Sequence, residues 1–494
     1  MVSRSTLKSG RSIPTLGLAS RVQINRRDFL QRTAASSVAL SLSRLGQARS
    51  PVEVGVAIAY ERPGPPVAED FIGLSYESAL LTNADYFSPD NQSVCGLLRG
   101  LGSNGVLRIG GNTSERTFWR SPSATPPQGA SYVITLAAID ALAALLQAVN
   151  WRLIYGLNLA RGTPEAAADE AEYVARATGQ RLLAFQIGNE PDGFGKWSAV
   201  RPPSYDVHAF IGEWRPFHAA IRARLPDAKF AGPATAGDGG WIAPFADSAR
   251  DSLVMLTRHY YSDGPAGATH INLPKLLHSA NQVHPILTDM GALSRKYGLP
   301  YRIAETNSIF AEGHPGVSDT FGACLWGLEL MFQIAAAGGA GINFHTGDAK
   351  AYTPIGAGEA GRHRARPLYY GMLMFKEAVS GGGAPVPTQI GAADVNLAAY
   401  AVRARDGTLR VCLMNKDLAK SVHVSIDAGR TLRTASVTRL TADDVSATTG
   451  VALGGASVDD FGGWMPKASE MLRPEPDISV DVPAISAALV TCAI

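Results

Sequence analysis

The chain has 494 residues, of which 46% are hydrophobic and 18% are charged, and its formal net charge at pH 7 is +2. This length accommodates a barrel of about 250 residues and a second domain, and the composition is that of a globular protein with a large core. The nearly balanced charge gives no electrostatic reason to expect nucleic acid or an anionic membrane as a partner.

Residues 1–50 are predicted to be an export signal. Arg26-Arg27-Asp28-Phe29-Leu30 precedes a weakly apolar stretch at residues 34–42, and Ala48 is a small residue suited to signal cleavage. The apolar stretch has about ten residues, whereas a bilayer span needs about twenty. The pattern predicts a twin-arginine signal and a periplasmic or extracellular mature protein, with an amphipathic N-terminal helix as the alternative.

Residues 51–68 are predicted to give one strand to a domain built mainly from the C-terminal part of the chain. Residues 52–62 alternate apolar and polar side chains, which is typical of a half-exposed strand. Pro63-Gly64-Pro65-Pro66 follows and is suited to a linker.

Residues 69–380 alternate short apolar strands with helical segments, a pattern that predicts a (β/α)8 TIM barrel. Helices are expected at residues 134–149 and 165–178. The apolar stretch 322–344 is interrupted by Glu329, Gln333 and a glycine-rich turn, which predicts a buried helix and a strand, not a membrane span. The eight predicted strands are residues 71–76, 106–109, 152–157, 183–187, 229–232, 254–259, 301–304 and 341–344.

Two of these strands lead directly into glutamates, Glu190 and Glu305. The carboxyl ends of barrel strands meet at one mouth, so the two side chains are expected to face each other across a cleft. Hydrolysis of a glycosidic bond needs such a pair, with one carboxyl to protonate the leaving oxygen and one carboxylate to trap the oxocarbenium-like carbon. The sequence therefore predicts Glu190 and Glu305 as catalytic residues. A helix-initiating turn at a strand end would explain Asn189-Glu190-Pro191 alone.

Other polar and aromatic residues near the strand ends are suited to a sugar. The amide of Asn189 is placed to hold a sugar hydroxyl, and Tyr261 is placed to hydrogen-bond Glu305 and keep it ionised. Three tryptophans in predicted mouth loops are candidates for stacking on sugars, with ordinary packing as the alternative: Trp119, Trp197 and Trp241.

Residues 381–494 consist of short, alternating, β-branched segments and predict a C-terminal β-sandwich, with strands at 395–402, 408–415, 421–426, 435–440 and 478–482.

The four cysteines lack metal-type spacing, which argues against a zinc site and a disulfide scaffold, although a single bridge between Cys412 and Cys492 stays open. The histidines show no metal-ligand motif and no Gly-x-Ser-x-Gly elbow occurs, so no cofactor is implied.

Five segments, taken in order, resemble glycoside hydrolase family 79, which contains bacterial β-glucuronidases and heparanases within a clan of retaining (β/α)8 enzymes. Residues 381–494 resemble the C-terminal domain of its β-glucuronidases. The five segments are Phe71-Ile72-Gly73-Leu74-Ser75-Tyr76-Glu77, Leu107-Arg108-Ile109-Gly110-Gly111-Asn112, Gln186-Ile187-Gly188-Asn189-Glu190-Pro191-Asp192, His259-Tyr260-Tyr261 and Ala304-Glu305-Thr306-Asn307-Ser308.

The resemblance implies a role for each matched residue. Glu190 would be the acid/base and Glu305 the nucleophile. The implied substrate-binding residues are Asn189 at the sugar 2-hydroxyl, Tyr261 beside the nucleophile, Tyr352 at the uronate carboxylate, and Asn112 and Glu77 in the matched segments. Phe310 departs from the family, because a second carboxylate-binding tyrosine is expected there.

The sequence thus predicts a retaining, exo-acting glycoside hydrolase that cleaves β-glucuronides and has a carbohydrate as its partner. Two alternatives stay open. One is a retaining β-glycosidase for a neutral sugar such as xylose or glucose, which the loss of a donor at Phe310 would favour. The other is a non-catalytic carbohydrate-binding protein on the same scaffold.

Overall fold

A closed barrel of eight parallel strands forms the first part of the fold. The computed structural model describes residues 50–119, 131–472 and 478–494. The predicted export signal, with Arg26 and Arg27, lies outside these residues. The strands, called the first to eighth barrel strands in chain order, are Ile72–Glu77, Val106–Gly110, Arg152–Leu157, Leu182–Ile187, Phe230–Thr235, Leu253–Asp263, Tyr301–Ile309 and Gly341–Thr346.

The barrel closes where the eighth strand pairs with the first, in a register that sets Ile342 beside Ile72. Helices cover the outside, and several begin where the sequence offers a cap. Thr163 caps a helix whose first residue is Pro164, and Thr135 caps the preceding helix. The helices are Gln92–Leu101, Leu136–Val149, Pro164–Thr178, Val207–Arg224, Ile242–Ala249, Leu273–Leu277, His284–Tyr297, Phe321–Ala336 and Pro367–Val379. The predicted barrel is confirmed.

The sixth and seventh strands extend well beyond their predicted ends at residues 259 and 304. Their pairing continues through Thr306 with Tyr260 and Asn307 with Tyr261, after a register shift between Ile303 and Glu305. Glu305 therefore lies inside the seventh strand, which corrects its predicted place at the strand end. Its polar neighbours end the apolar pattern but stay in the strand, because hydrogen bonds to other strands satisfy their side chains.

The C-terminal part of the chain folds as two packed sheets. In the described residues the smaller sheet has the order Thr388–Ile390, Val52–Ile58, Val422–Asp427 and Ile478–Val482. The larger has the order Ala384–Val386, Leu397–Arg403, Leu409–Asn415, Ser486–Ala493, Thr434–Thr441 and Ala452–Leu453, with Glu470–Leu472 also paired to Thr434–Thr441.

The predicted N-terminal strand joins this sandwich, as expected. Val52–Ile58 pairs in parallel with Val422–Asp427 and antiparallel with Thr388–Ile390. The strand Ser486–Ala493 was missed, because it is buried on both faces and lacks an alternating pattern.

Two further sequence expectations concern the cysteines and the long apolar stretch. The bridge left open between Cys412 and Cys492 is absent, and both thiols are free and buried. Cys492 pairs in register with Leu409, so Cys412 stands three positions away along the neighbouring strand and faces the other side of the sheet. Phe321–Ala336 is the predicted buried helix, and no described helix is long and apolar enough to cross a membrane.

Candidate active site

The barrel brings Glu190 and Glu305 together at its carboxyl mouth, as the sequence predicted. One carboxylate oxygen from each glutamate and one ring nitrogen of His259 all lie within 4.8 Å of one another. Glu190 is 9% exposed and Glu305 is 4% exposed. The two carboxyl groups thus lie close together and are largely shielded from solvent.

Glu190 is held in position by an unusual backbone conformation. It follows the fourth strand by three residues and has φ 49° and ψ 52°, in the left-handed region. Its backbone N–H donates to the carbonyl of Ala234, 3.0 Å away, which ties it to the end of the fifth strand. Such a conformation costs roughly 1–2 kcal/mol for a residue other than glycine. Strain of this kind is typical of residues positioned for chemistry.

The environment of Glu190 favours its protonated form. Burial raises its pKa, and the negative charges of Glu305 and Asp192 raise it further. His259 acts in the opposite direction through a contact of 2.9 Å between its Nδ1 and Glu190 Oε1, but the pKa stays above the ordinary value. A carboxyl with a raised pKa is suited to general acid catalysis.

Glu305 experiences the opposite environment. Burial alone would raise its pKa, but the electrostatic effects of His345, His259 and Arg108 and a hydrogen bond from Tyr261 bring it well below the ordinary value. Arg108 Nη1 lies 2.6 Å from Glu305 Oε2, and the Tyr261 hydroxyl donates to Oε1 over 2.9 Å. Glu305 is therefore an ionised carboxylate, as a nucleophile requires, and the predicted contact with Tyr261 is present.

Arg108 organises this side of the pocket and received no role in the sequence analysis. Its guanidinium donates to Ser75 Oγ over 3.0 Å, to Gln186 Oε1 over 2.8 Å and to Asn189 Oδ1 over 2.7 Å, as well as to Glu305. It is 1% exposed. An arginine within a buried apolar strand was the available signal, because a buried guanidinium needs a carboxylate partner.

Asn189 and Asn112 lie side by side. Asn189 Nδ2 donates to Asn112 Oδ1 over 3.2 Å, and the Asn189 backbone N–H donates to Glu115 Oε1 over 2.6 Å. Together with the bond from Arg108, these contacts fix the orientation of the Asn189 amide. Asn112 is exposed at the mouth.

Glu77 ends the first strand and lies deeper in the pocket wall. Its Oε2 accepts hydrogen bonds from the backbone N–H and hydroxyl of Thr113, at 2.8 and 2.6 Å. Its Oε1 lies 3.3 Å from His345 Nε2 and 3.7 Å from Lys350 Nζ. Burial raises its pKa, but His345 and Lys350 more than offset this and bring it to about 2, so Glu77 is ionised.

His345 and Lys350 are further pocket residues that the sequence analysis missed. His345 comes from the eighth strand and places Nδ1 3.1 Å from Ser75 Oγ and 3.8 Å from Glu305 Oε2. Lys350 follows in the next loop, with Nζ 2.9 Å from His345 Nε2. A histidine inside an apolar strand was the only sequence signal for this pair.

The aromatic residues form a row from the pocket wall to its rim. The rings of Tyr352 and Tyr261 are 6.3 Å apart, and those of Tyr261 and Phe310 are 6.4 Å apart. Tyr352 is 2% exposed, whereas Phe310 is 43% exposed. Phe310 thus stands beside Tyr261, where the expected tyrosine would have offered a hydroxyl.

The three candidate tryptophans separate into two groups. Trp119 and Trp241 are buried, and Trp119 Nε1 donates to Asp169 Oδ2, so both belong to the packing of the fold. Trp197 is 57% exposed, and its ring lies so close to Gly193 that a Cβ added there would be 2.2 Å from it.

Glu190, His259 and Glu305 could together offer three ligand atoms to a metal ion. The guanidinium of Arg108 stands 2.6 Å from Glu305, at the carboxylate that a cation would need. This competing positive charge favours use of the two glutamates for proton transfer and nucleophilic attack.

Comparison with known proteins places the C-terminal domain in a known family. Residues 399–489 match the glycosyl hydrolase family 79 C-terminal beta domain. The chain is 26% identical to a β-glucuronidase of Aspergillus niger over 428 residues, which cover 77% of this chain and 78% of that protein. It is also 26% identical to a β-glucuronidase of Neurospora crassa over 379 residues, covering 68% of this chain and 67% of that protein.

Solved structures share the architecture. A 4-O-α-L-rhamnosyl-β-D-glucuronidase from Fusarium oxysporum superposes with a TM-score of 0.74 at 20% identity, covering 88% of this chain and 100% of that one. A family 51 arabinofuranosidase from Xanthomonas axonopodis gives 0.67 at 17% identity, covering 90% and 100%. These structures show the fold, and the matched domain and the two fungal relatives show that the chain is a glycoside hydrolase with a C-terminal domain of the family 79 type.

Proposed function

We propose that this enzyme hydrolyses β-glucuronides with retention of configuration, using Glu190 as acid/base and Glu305 as nucleophile. The observation that carries the proposal is the pairing of two carboxyl groups, with oxygens within 4.8 Å, whose pKa values move in opposite directions. Retaining enzymes hold their carboxyl groups about 5–5.5 Å apart, whereas inverting enzymes need about 6.5–9.5 Å to admit a water. The short separation supports the retaining mechanism.

The reaction proceeds in two displacements. Ionised Glu305 attacks the anomeric carbon, the glycosidic bond breaks, and Glu190 gives its proton to the leaving oxygen. The product of this step is a glycosyl ester on Glu305 and a free alcohol. Glu190, now a carboxylate, takes a proton from water while the water oxygen attacks the anomeric carbon. This second step releases the β-sugar and restores both glutamates.

The pocket around the pair supports a uronic acid as the sugar. Tyr352 provides a hydroxyl in the loop after the eighth strand, and Asn189 provides an oriented amide beside Glu190. Glu77 is an ionised acceptor for sugar hydroxyls. Both fungal relatives are named β-glucuronidases, in agreement with this assignment.

A panel of nitrophenyl β-glucuronide, glucoside, galactoside and xyloside, each assayed with the purified chain, tests the substrate. We expect the highest kcat/KM on the glucuronide. A clear preference for the xyloside or glucoside would contradict the proposal and establish the neutral-sugar alternative. A 2-fluoro glucuronide that traps the intermediate should label Glu305, and label on any other residue would contradict its role.

We also propose that the chain is exported through the twin-arginine pathway. The support is the sequence Arg26-Arg27-Asp28-Phe29-Leu30 ahead of a weakly apolar stretch. The double variant Arg26→Lys with Arg27→Lys should stay in the cytoplasm, because this export pathway recognises the paired arginines. Fractionation of an expressing bacterium measures this, and unchanged export of the double variant would refute the assignment.

A further inference from the structure

A lysine lies in the pocket wall beside His345 and Glu77, and the mechanism above does not use it. Lys350 belongs to the loop after the eighth strand, two residues before Tyr352, and 14% of its side chain is exposed. Its Nζ lies 2.9 Å from His345 Nε2, 3.7 Å from Glu77 Oε1 and 5.9 Å from the centre of the Tyr352 ring. The ammonium group thus stands between Glu77 and Tyr352.

This ammonium has hydrogen-bonding capacity that the protein does not use. Lys350 has three N–H donors, and within the described ranges His345 Nε2 is the single polar atom at hydrogen-bond distance from its Nζ. Glu77 Oε1 lies 3.7 Å from Lys350 Nζ, beyond hydrogen-bond distance, and the hydrogen bonds that Thr113 donates go to the other oxygen, Oε2. Since a largely buried ammonium with unused donors is costly, a ligand that accepts them would stabilise it.

The charges around the pocket also require a cation at this place. Glu77 and Glu305 are both ionised, and Arg108 is in direct contact with Glu305. Without Lys350, the wall at Glu77 would carry an unbalanced negative charge and would repel an anionic sugar. With Lys350, the charge of Glu77 is offset where the sugar binds.

We propose that Lys350 is a specificity-determining residue that binds the carboxylate of a uronic acid substrate together with the Tyr352 hydroxyl. The inference rests on the proposed function and deepens it. A hydrogen bond from an ammonium to a carboxylate is roughly twice as strong as one between neutral groups. Lys350 therefore provides the donor that Phe310, at the rim of the same pocket, does not offer.

Replacement of the ammonium by an uncharged chain of similar length tests this role. For Lys350→Met, we expect the loss of kcat/KM on nitrophenyl β-glucuronide to exceed the loss on nitrophenyl β-glucoside by at least tenfold. These two substrates differ only by a carboxylate in place of a hydroxymethyl group. Lys350→Arg should restore part of the preference, because it returns the positive charge.

Lys196→Met is the matched control. Lys196 is an exposed lysine in the loop after the fourth strand, so this change removes the same charge without touching Glu77 or His345. It should leave the ratio of the two activities as in the wild type. An equal change in ratio for both lysine variants would mean that Lys350 acts only by general electrostatic attraction, and would overturn the inference.

Two other results separate the inference from the proposed function. Equal losses on both substrates in Lys350→Met would show that Lys350 only positions His345 and Glu77, which overturns the inference and leaves the proposed function intact. A wild type that does not cleave the glucuronide would overturn the proposed function. In that case, calorimetric titration of the wild type and of Lys350→Met with glucuronate would test the inference separately. Weaker binding of glucuronate to Lys350→Met than to the wild type would support it. Equal binding to the two proteins, or binding to neither, would overturn it.

Discussion

At the scale of single residues, the site depends on two identical side chains placed in opposite surroundings. Burial and carboxylate neighbours raise the pKa of Glu190, whereas Arg108, His345 and a tyrosine hydroxyl around Glu305 lower its pKa and keep it ionised. This difference in environment supports the proposed roles of Glu190 as the acid and Glu305 as the nucleophile.

Removal of the acid should affect substrates according to their leaving group. Glu190→Ala is expected to lower activity by about 10²–10⁴-fold on alkyl glucuronides, which need a proton on the leaving oxygen. Dinitrophenyl glucuronide should lose far less in its first step, because its phenolate leaves without protonation. Steady-state and burst kinetics on both substrates measure this, and equal losses on both would argue against Glu190 as the acid.

The pH profile should report the proton on Glu190. Activity requires this proton, so kcat/KM should fall as pH rises through the pKa of Glu190. His259 lowers that pKa, so His259→Phe should raise it and move the alkaline limb to higher pH. The change is mild for packing, because in the described residues the other ring nitrogen, Nε2, has no partner. A limb that stays in place or moves to lower pH would contradict this account.

The two glutamates could be predicted from the sequence, but the residues that shift their pKa values could not. Glu190 and Glu305 could be predicted because each follows an apolar run, and barrel topology then puts them at one mouth. Arg108 and Lys350 could not, because their roles depend on which distant side chain each one meets. Arg108 contacts a carboxylate 197 residues away, and such a contact leaves no local pattern.

At the scale of elements, the loop after the second strand is built around close contact with the first. Gly111 has φ +71°, and a Cβ added there would lie 2.5 Å from Glu77 Oε2. This contact with Glu77 could not be predicted from the sequence, because it forms only in the folded barrel. The extensions of the sixth and seventh strands beyond residues 259 and 304 were missed for a related reason, since hydrogen bonds between strands replace apolar burial there.

Gly111→Ala should therefore impair the pocket more than the fold. The new methyl group would displace the Glu77 carboxylate, and the backbone, with φ 71° and ψ −175°, would be strained by roughly 1–3 kcal/mol. We expect a drop in kcat/KM with a small fall in the melting temperature. Gly361→Ala is a matched control, because that glycine also has positive φ but open space around it. Equal effects of the two changes on activity would show that the contact with Glu77 is unimportant.

At the scale of the whole molecule, the barrel and the sandwich are joined by a buried ion pair. Lys416, which follows the sandwich strand Leu409–Asn415, contacts Glu329 on the barrel helix Phe321–Ala336, and both side chains are almost fully buried. Beside the pair, the rings of Phe332 and Tyr400 stack 5.2 Å apart. Both domains could be predicted from the sequence. The contacts between them could not, because they depend on which surfaces of the two folded domains pack together.

Lys416→Met should destabilise the enzyme by about 3–5 kcal/mol, because it leaves the Glu329 carboxylate buried without a partner. The double variant with Glu329→Leu should recover much of this loss, since it removes the isolated charge. Thermal and urea unfolding of the single and double variants measure the effect. A single variant as stable as the wild type would show that the pair does not hold the two domains together.

The most direct test of the central claim is the anomeric form of the first product, followed by proton NMR during hydrolysis of nitrophenyl β-glucuronide. Two displacements at the anomeric carbon preserve its configuration. The account predicts that β-glucuronic acid appears first and that the α anomer grows in only later, by mutarotation. Initial release of α-glucuronic acid would contradict the roles assigned to Glu190 and Glu305.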